Sequence, residues 1–424
     1  MVRYAGITLD FLDTTSVVGG SFNVTGNVIG FGASNGTGTT TLSGLGNEFR
    51  GIDAENTDVT VSTSIQNNTI SGINQTTARN ATLTSFATLS AQGFTAIQLG
   101  GGGGFGAGFF NVGDIVGNKI GSQTGTSSIV INATSATANT LRATGIIDIS
   151  QSDDIISNNE MGTITINSGG TGNAVGFEGI QLISFPGQNI TVNGNLIGGT
   201  VAGSITDTIL GNYLMQGIDS PFIFTGGSGT VSCTGNIIRN MVSNSNTTGF
   251  ITMRGIFLAG SVTPNVNTVS QNTIHSLSNV VVGGGLTAIY GMDLSFPNTA
   301  NVVERNFIHS CSISTTATTS QLRGIFVRGT ASPAAASNAT YKNNMVRLGI
   351  DAAGASITTP YEITGILDSV NTAGQFSNYY FNTVYIGGSG VASQDPIPSP
   401  SGAPAPRLRV NTRTTSSGTR AVTR

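Results

Sequence analysis

Both histidines of the chain, His275 and His309, fall three residues after an asparagine, and so do Arg239, Arg347 and Tyr385. The same offset in the first half of the chain holds Gly30, Ser71, Gly121, Gly162 and Gly198. A common offset from a recurring residue places these side chains in one outward column. Imidazole, guanidinium and phenol groups in a row are suited to an anionic or sugar-like ligand, through stacking and charge-assisted hydrogen bonds. The plainer alternative is an outward ladder that accepts any polar residue and binds nothing. Cations one coil apart should depress both histidines, so stacked, neutral imidazoles are expected at pH 7.

Carboxylates gather twice, as Glu48, Asp53, Glu55 and Asp58 and as Asp148, Asp153, Asp154 and Glu160. Hard cations such as Ca²⁺ need several converging oxygens. Neither group has EF-hand or nonapeptide Ca²⁺ spacing, so both read as solvated turns, and no metal site or cofactor is assigned. The residues after a recurring Gly-Ile pair include Asp53, Asp219 and Asp293, which never fall on neighbouring repeats. The close carboxylate pair of a glycosidase is therefore not expected in that column. Cys233 and Cys311 lie two repeats apart, too far for a disulfide, and are expected as free thiols. The Gly-rich run 100–108 contains a G-x-G-x-x-G string, but no helix start follows it, so it reads as a loop.

What positions these groups is a repeat. Asn-x-(Ile/Met/Val) begins at Asn27, Asn68, Asn118, Asn159, Asn195, Asn236, Asn272, Asn306, Asn344 and Asn382, with a mean interval of ~39 residues. The third residue before each Asn is apolar: Val24, Ile65, Ile115, Ile156, Val192, Cys233, Val269, Val303, Tyr341 and Tyr379. The second residue after it is Ile, Met or Val throughout, so two inward columns bracket the Asn. Gly or Asn directly precedes it in most repeats, which marks a sharp bend. Asn side chains stacked about 4.8 Å apart can hydrogen-bond along the stack. A second signature, such as Gly51-Ile52, Gly217-Ile218 or Gly324-Ile325, opens a further β-rich run. Each repeat then supplies about three short strands.

Composition agrees. The 424 residues include 60 Gly, only 9% charged residues and no Trp, which excludes helical bundles, coiled coils and charge-rich disorder. Residues 1–393 carry 12 basic and 19 acidic groups, so no nucleic-acid footprint exists. No apolar run is long enough for a membrane-spanning helix, and residues 1–6 lack a signal peptide's apolar run. From Gln394 onward five prolines and five arginines appear without any repeat signature. That segment, 394–424, reads as a disordered tail or, alternatively, as a frameshifted one.

The Gly-Ile pairs, the Asn-x-Ile motif and the Asn stack together resemble the right-handed parallel β-helix superfamily of pectate lyases, polygalacturonases and tailspikes. The resemblance spans residues 20–390 and is closest in texture to large secreted bacterial surface and adhesin-like repeat proteins. It implies an all-β, right-handed parallel β-helix (β-solenoid) of about ten rungs over residues 1–393, with long loops and almost no helix. It leaves open whether each repeat is one coil or two. It also implies a fragment of a longer polypeptide, truncated at both ends, that lies outside the cell or on its surface. The expected function is a non-enzymatic structural segment, with a polysaccharide or cell-surface glycan as partner on Arg239, His275, His309, Arg347 and Tyr385. The alternative is a polysaccharide lyase or glycoside hydrolase, although the Gly-His-Gly and Arg-Ile-Lys strings of polygalacturonases do not occur.

Overall fold

Short runs that alternate apolar and polar residues between Gly and Asn bends can bury their inward face only against the next copy of themselves. The computed structural model shows that outcome, an all-β parallel solenoid. It describes residues 2–388 apart from 10–20, 34, 45, 56–60, 79–92, 101–107, 135–139, 169–173, 185–186, 210–212, 224–228, 246–249, 260–266, 283–284, 296–299, 329–336 and 371–374. The tail 394–424, Asp58 and the centre of the Gly-rich run lie outside the described residues.

Among the described residues, two sheets hold ten strands each, and the third holds sixteen. The first sheet runs from Val2–Leu9 through Asn47–Ala54 and Tyr213–Ile223 to Glu362–Asp368, every strand parallel to the next. The second begins at Asn23–Thr25 and ends at Gln375–Tyr380. The third has two tracks of short strands that merge in Ile237–Ser245, which pairs with both Leu196–Ile197 and Ile205–Ile209. Asn27 contacts Asn68 of the next coil, so each repeat is a single coil. No helix long and apolar enough to cross a membrane occurs among the described residues.

The column two residues after each Asn is buried throughout, from Ile29 to Val384. The column three residues before it needs one correction. Ile115 is 79% exposed, and Val112 takes the inward place between Ile65 and Ile156. Residues 113–116 form an insertion: Gly113 has φ 77°, and the amides of Ile115 and Val116 donate to Gln66 Oε1 at 3.3 and 3.2 Å.

The Asn stack is a continuous ladder. Each Nδ2 donates to the Oδ1 one coil further on, at 2.9 Å from Asn27 to Asn68 and 3.0 Å from Asn195 to Asn236. The same Oδ1 accepts the backbone N–H of the preceding Asn, and Nδ2 also donates to an inward-column carbonyl, as from Asn236 to Val192 O at 2.9 Å. The residue before the Asn has positive φ at Gly26, Asn67, Asn158, Gly194, Gly235 and Asn343, and also at Gln271, Arg305 and Phe381. Those last three hold a conformation that ordinary side chains disfavour, which shows how strongly the ladder imposes the bend.

The Gly-Ile pair sits inside its strand and does not open it, as Gly324 within Gln321–Val327 shows. Pairing skips the glycine: Arg254 faces Tyr290 and Ile256 faces Met292. A Cβ on Gly255 would lie 2.6 Å from Gly291 O and 2.7 Å from Ile274 Cγ2. The two sequence signatures therefore pack against each other across the bore, and glycine makes room for the apolar residue behind the Asn.

Candidate functional site

Arg239, His275, His309, Arg347 and Tyr385 are successive Cα partners on parallel strands, so the structure brings all five expected residues into one outward, half-buried column. The two imidazoles stack with centroids 4.8 Å apart and planes 3° from parallel, and Phe307 packs on His309 at 4.2 Å. Each Nδ1 lies 2.9 Å from the hydroxyl of the following serine, Ser276 or Ser310. Both histidines are pushed below their ordinary value, His309 to about 4. Burial is the main cause and cationic neighbours the lesser one, which reverses the weighting expected from the sequence. Arg347 donates to Ser310 Oγ at 3.2 Å and Arg239 to Gly198 O at 3.2 Å. The Tyr385 ring folds over Gly387, where a Cβ would come within 2.2 Å of Cε1.

A second group of chemistry-bearing residues forms on the outer face of the first sheet. Arg142 pairs with Glu178, and Arg254 donates to Gln216 Oε1 at 3.0 Å and meets Asp293 Oδ2 at 2.8 Å. Arg328 grips the same Asp293 with two bonds, at 2.5 and 2.7 Å. Arg254 lies 4.2 Å over the Phe257 ring, and Arg323 lies 4.5 Å over Phe326. Glu178 and Asp219 are raised, mainly by burial, and the charge of Glu178 raises Asp219 further. These two carboxyls interact from neighbouring strands, since Gln181 is the Cα partner of Asp219. The sequence column that held Asp219 could not show this pair, because Glu178 belongs to the adjacent column, on the other side of the glycine. Asp219 is fully buried and Glu178 2% exposed.

Four members of the two acidic clusters, Glu48, Asp53, Asp148 and Asp154, are buried rather than solvated. Glu48 and Asp53 are buried on Arg50 at 2.6 and 2.5 Å. Asp148 and Asp154 are buried and tied through Ser150, whose amide donates to Asp148 at 3.0 Å and whose hydroxyl donates to Asp154. Burial raises Asp148 to about 6, and burial plus the charge of Asp148 raises Asp154 well above the usual range. Asp153, in contrast, is exposed and accepts Asn189 N at 2.6 Å. No grouping of three or more His, Cys, Asp or Glu suited to a metal occurs among the described residues. Cys233 and Cys311 are buried free thiols, both pushed up to about 12 by burial.

No family model, curated protein or solved structure matches the chain. The fold and the positions of these side chains are therefore what bears on function.

Proposed function

We propose that the chain is a non-enzymatic β-solenoid segment of an extracellular, adhesin-like surface protein of the pectate-lyase-like kind, and that it holds an anionic glycan along Arg239, His275, His309, Arg347 and Tyr385. The observation that carries this reading is the in-register column itself, built on strands that the Asn ladder fixes. Two guanidinium groups flank stacked, uncharged rings, a pairing that suits sugar rings bearing carboxylate or sulfate groups. Calorimetric titration with a size-defined oligogalacturonate tests it. The Arg239→Ala/Arg347→Ala variant should bind at least about tenfold more weakly, and the wild-type affinity should fall with added salt. Equal binding by the two proteins, or no binding by either, would overturn it.

One observation favours a second reading, hydrolysis or lysis of a polysaccharide: the Glu178 and Asp219 carboxyls interact on the first sheet. Glycosidase chemistry requires one carboxyl to stay ionised and a substrate to reach both. Both groups here are raised and sealed from solvent, so the scaffold reading is the better supported. Release of new reducing ends, lost in Glu178→Gln, would reverse that preference.

A further inference from the structure

A groove of 420 Å³ opens where the chain enters the second sheet, on a different face from the histidine column. Its lining comes from four successive coils, beginning at Ser62 and ending at Asn189 and Thr191. Asn111, Ile155 and Thr191 are Cα partners across three adjacent strands, so the lining is set by the sheet itself.

The groove has two chemical sides. Phe109, half-buried, and Ile155, 36% exposed, offer an apolar surface. Asp153 and Asn189 offer polar atoms: the carboxylate accepts Asn189 N at 2.6 Å and Asn189 Nδ2 at 3.0 Å, and Asn189 Oδ1 accepts the Thr230 hydroxyl at 2.9 Å. Asn111 Nδ2 donates to Ser62 Oγ at 3.0 Å, so its Oδ1 is not used in that bond. Among the described residues, no Lys or Arg lines the groove. Behind it Asp154, fully buried, ties two segments together by accepting Phe110 N at 2.7 Å and the Ser150 hydroxyl.

An apolar patch beside an acceptor-rich edge that includes the exposed Asp153 carboxylate, with no cation among the described lining residues, selects a ring that has a C–H face and a rim of donors. It also disfavours anions. We propose that this groove is a second ligand site, independent of the histidine column, that binds a neutral or amino-substituted pyranose. The ring lies on Phe109 and Ile155, and its hydroxyl or ammonium groups donate to Asp153 and Asn111.

The test is calorimetric titration of the full chain with three probes: cellotriose, a glucosamine trimer and trigalacturonate. In the Arg239→Ala/Arg347→Ala protein, whose histidine column is disabled, the glucosamine trimer should bind tightest and trigalacturonate at least tenfold more weakly than either other probe. Asp153→Lys should weaken the glucosamine trimer at least tenfold, and Thr191→Trp, which fills the groove, should abolish binding of both favoured probes. Circular dichroism and the melting temperature report whether each variant is folded; Asp153→Lys changes an exposed side chain and keeps the test usable if Thr191→Trp does not fold. The Arg239→Ala/Arg347→Ala protein should bind both favoured probes as the wild type does, which separates this site from the histidine column. Absence of binding by the two favoured probes, preference for the anion in the Arg239→Ala/Arg347→Ala protein, or unchanged affinities in a folded Asp153→Lys protein would overturn the proposal.

Discussion

At Asp148 the burial of a single carboxyl becomes a property of the whole protein. An aspartate ordinarily near 3.8 is raised here to about 6, so between those values the native state binds more protons than the unfolded chain. Its contribution is complete below about 3.8 and is lost as pH rises through about 6. Asp148→Asn removes that titration and the charge facing Asp154, while its Oδ1 can still accept the Ser150 amide. The variant should match the wild type near pH 4 and be more stable at pH 7, by about 1–3 kcal/mol. Denaturation midpoints at the two pH values check this, and a variant weaker at pH 7 would contradict it. The sequence showed these acids and their spacing, yet made them turn residues exposed to solvent. Burial arises from neighbouring coils, through groups such as Phe110 and Gln188, whose Nε2 donates to Ser150 O at 2.7 Å, and no local pattern announces that. The histidine column, by contrast, was legible because a constant offset from Asn survives stacking unchanged.

At the level of the strand, glycine and the residue behind the Asn form one packing unit. Gly255→Ala would press a methyl group onto Gly291 O at 2.6 Å and Ile274 Cγ2 at 2.7 Å. The carbonyl belongs to the next coil's backbone and cannot turn aside, so a loss of about 1–3 kcal/mol is expected. Ile274→Val in the same protein should restore only part of it, since it removes the Cδ1 methyl 2.9 Å away but keeps Cγ2 and the carbonyl contact; full recovery of the melting temperature would show those two contacts to be harmless. Ala96 occupies the equivalent position one strand after Gly51, so the column already admits a Cβ where the neighbours have adjusted. Strand positions were readable wherever the interval between Asn and inward residue stayed constant. They failed at Ile115, because the insertion 113–116 moved the inward role to Val112. The alternation Phe110-Asn111-Val112, closed by Gly113, was the available signal, and it was masked by an apolar residue that happened to lie three before Asn118. The ionic network on the first sheet was hidden for a related reason: its partners sit in different columns, on either side of the glycine that pairing skips.

At the scale of the whole molecule, every described strand pairs with its counterparts in adjacent coils, so stability is close to a sum of nearest-neighbour terms. The Asn ladder is the element that couples those terms along the axis. Asn195 accepts from Asn159 N and Nδ2, each at 3.0 Å, and donates to Ile156 O at 2.8 Å and Asn236 Oδ1 at 3.0 Å. Asn195→Ala strands buried donors and a buried acceptor at once, each costing about 1–3 kcal/mol, so a net loss of about 3–5 kcal/mol is expected after local relaxation. Asn27→Ala removes only donations to Asn68 Oδ1 and Thr25 O from a half-buried residue, and should cost less than about 1 kcal/mol. The distribution of the damage is as informative as its size. In Asn195→Ala, hydrogen exchange should accelerate first in Ile155–Ser157, Asn189–Asn193 and Thr230–Thr234, while strands several coils away keep their protection. A central break of this kind should also divide one unfolding transition into two, because the coils on either side no longer share a continuous ladder. Uniform acceleration along the chain, or a single sharp transition in Asn195→Ala, would mean that the ladder adds stability without transmitting it.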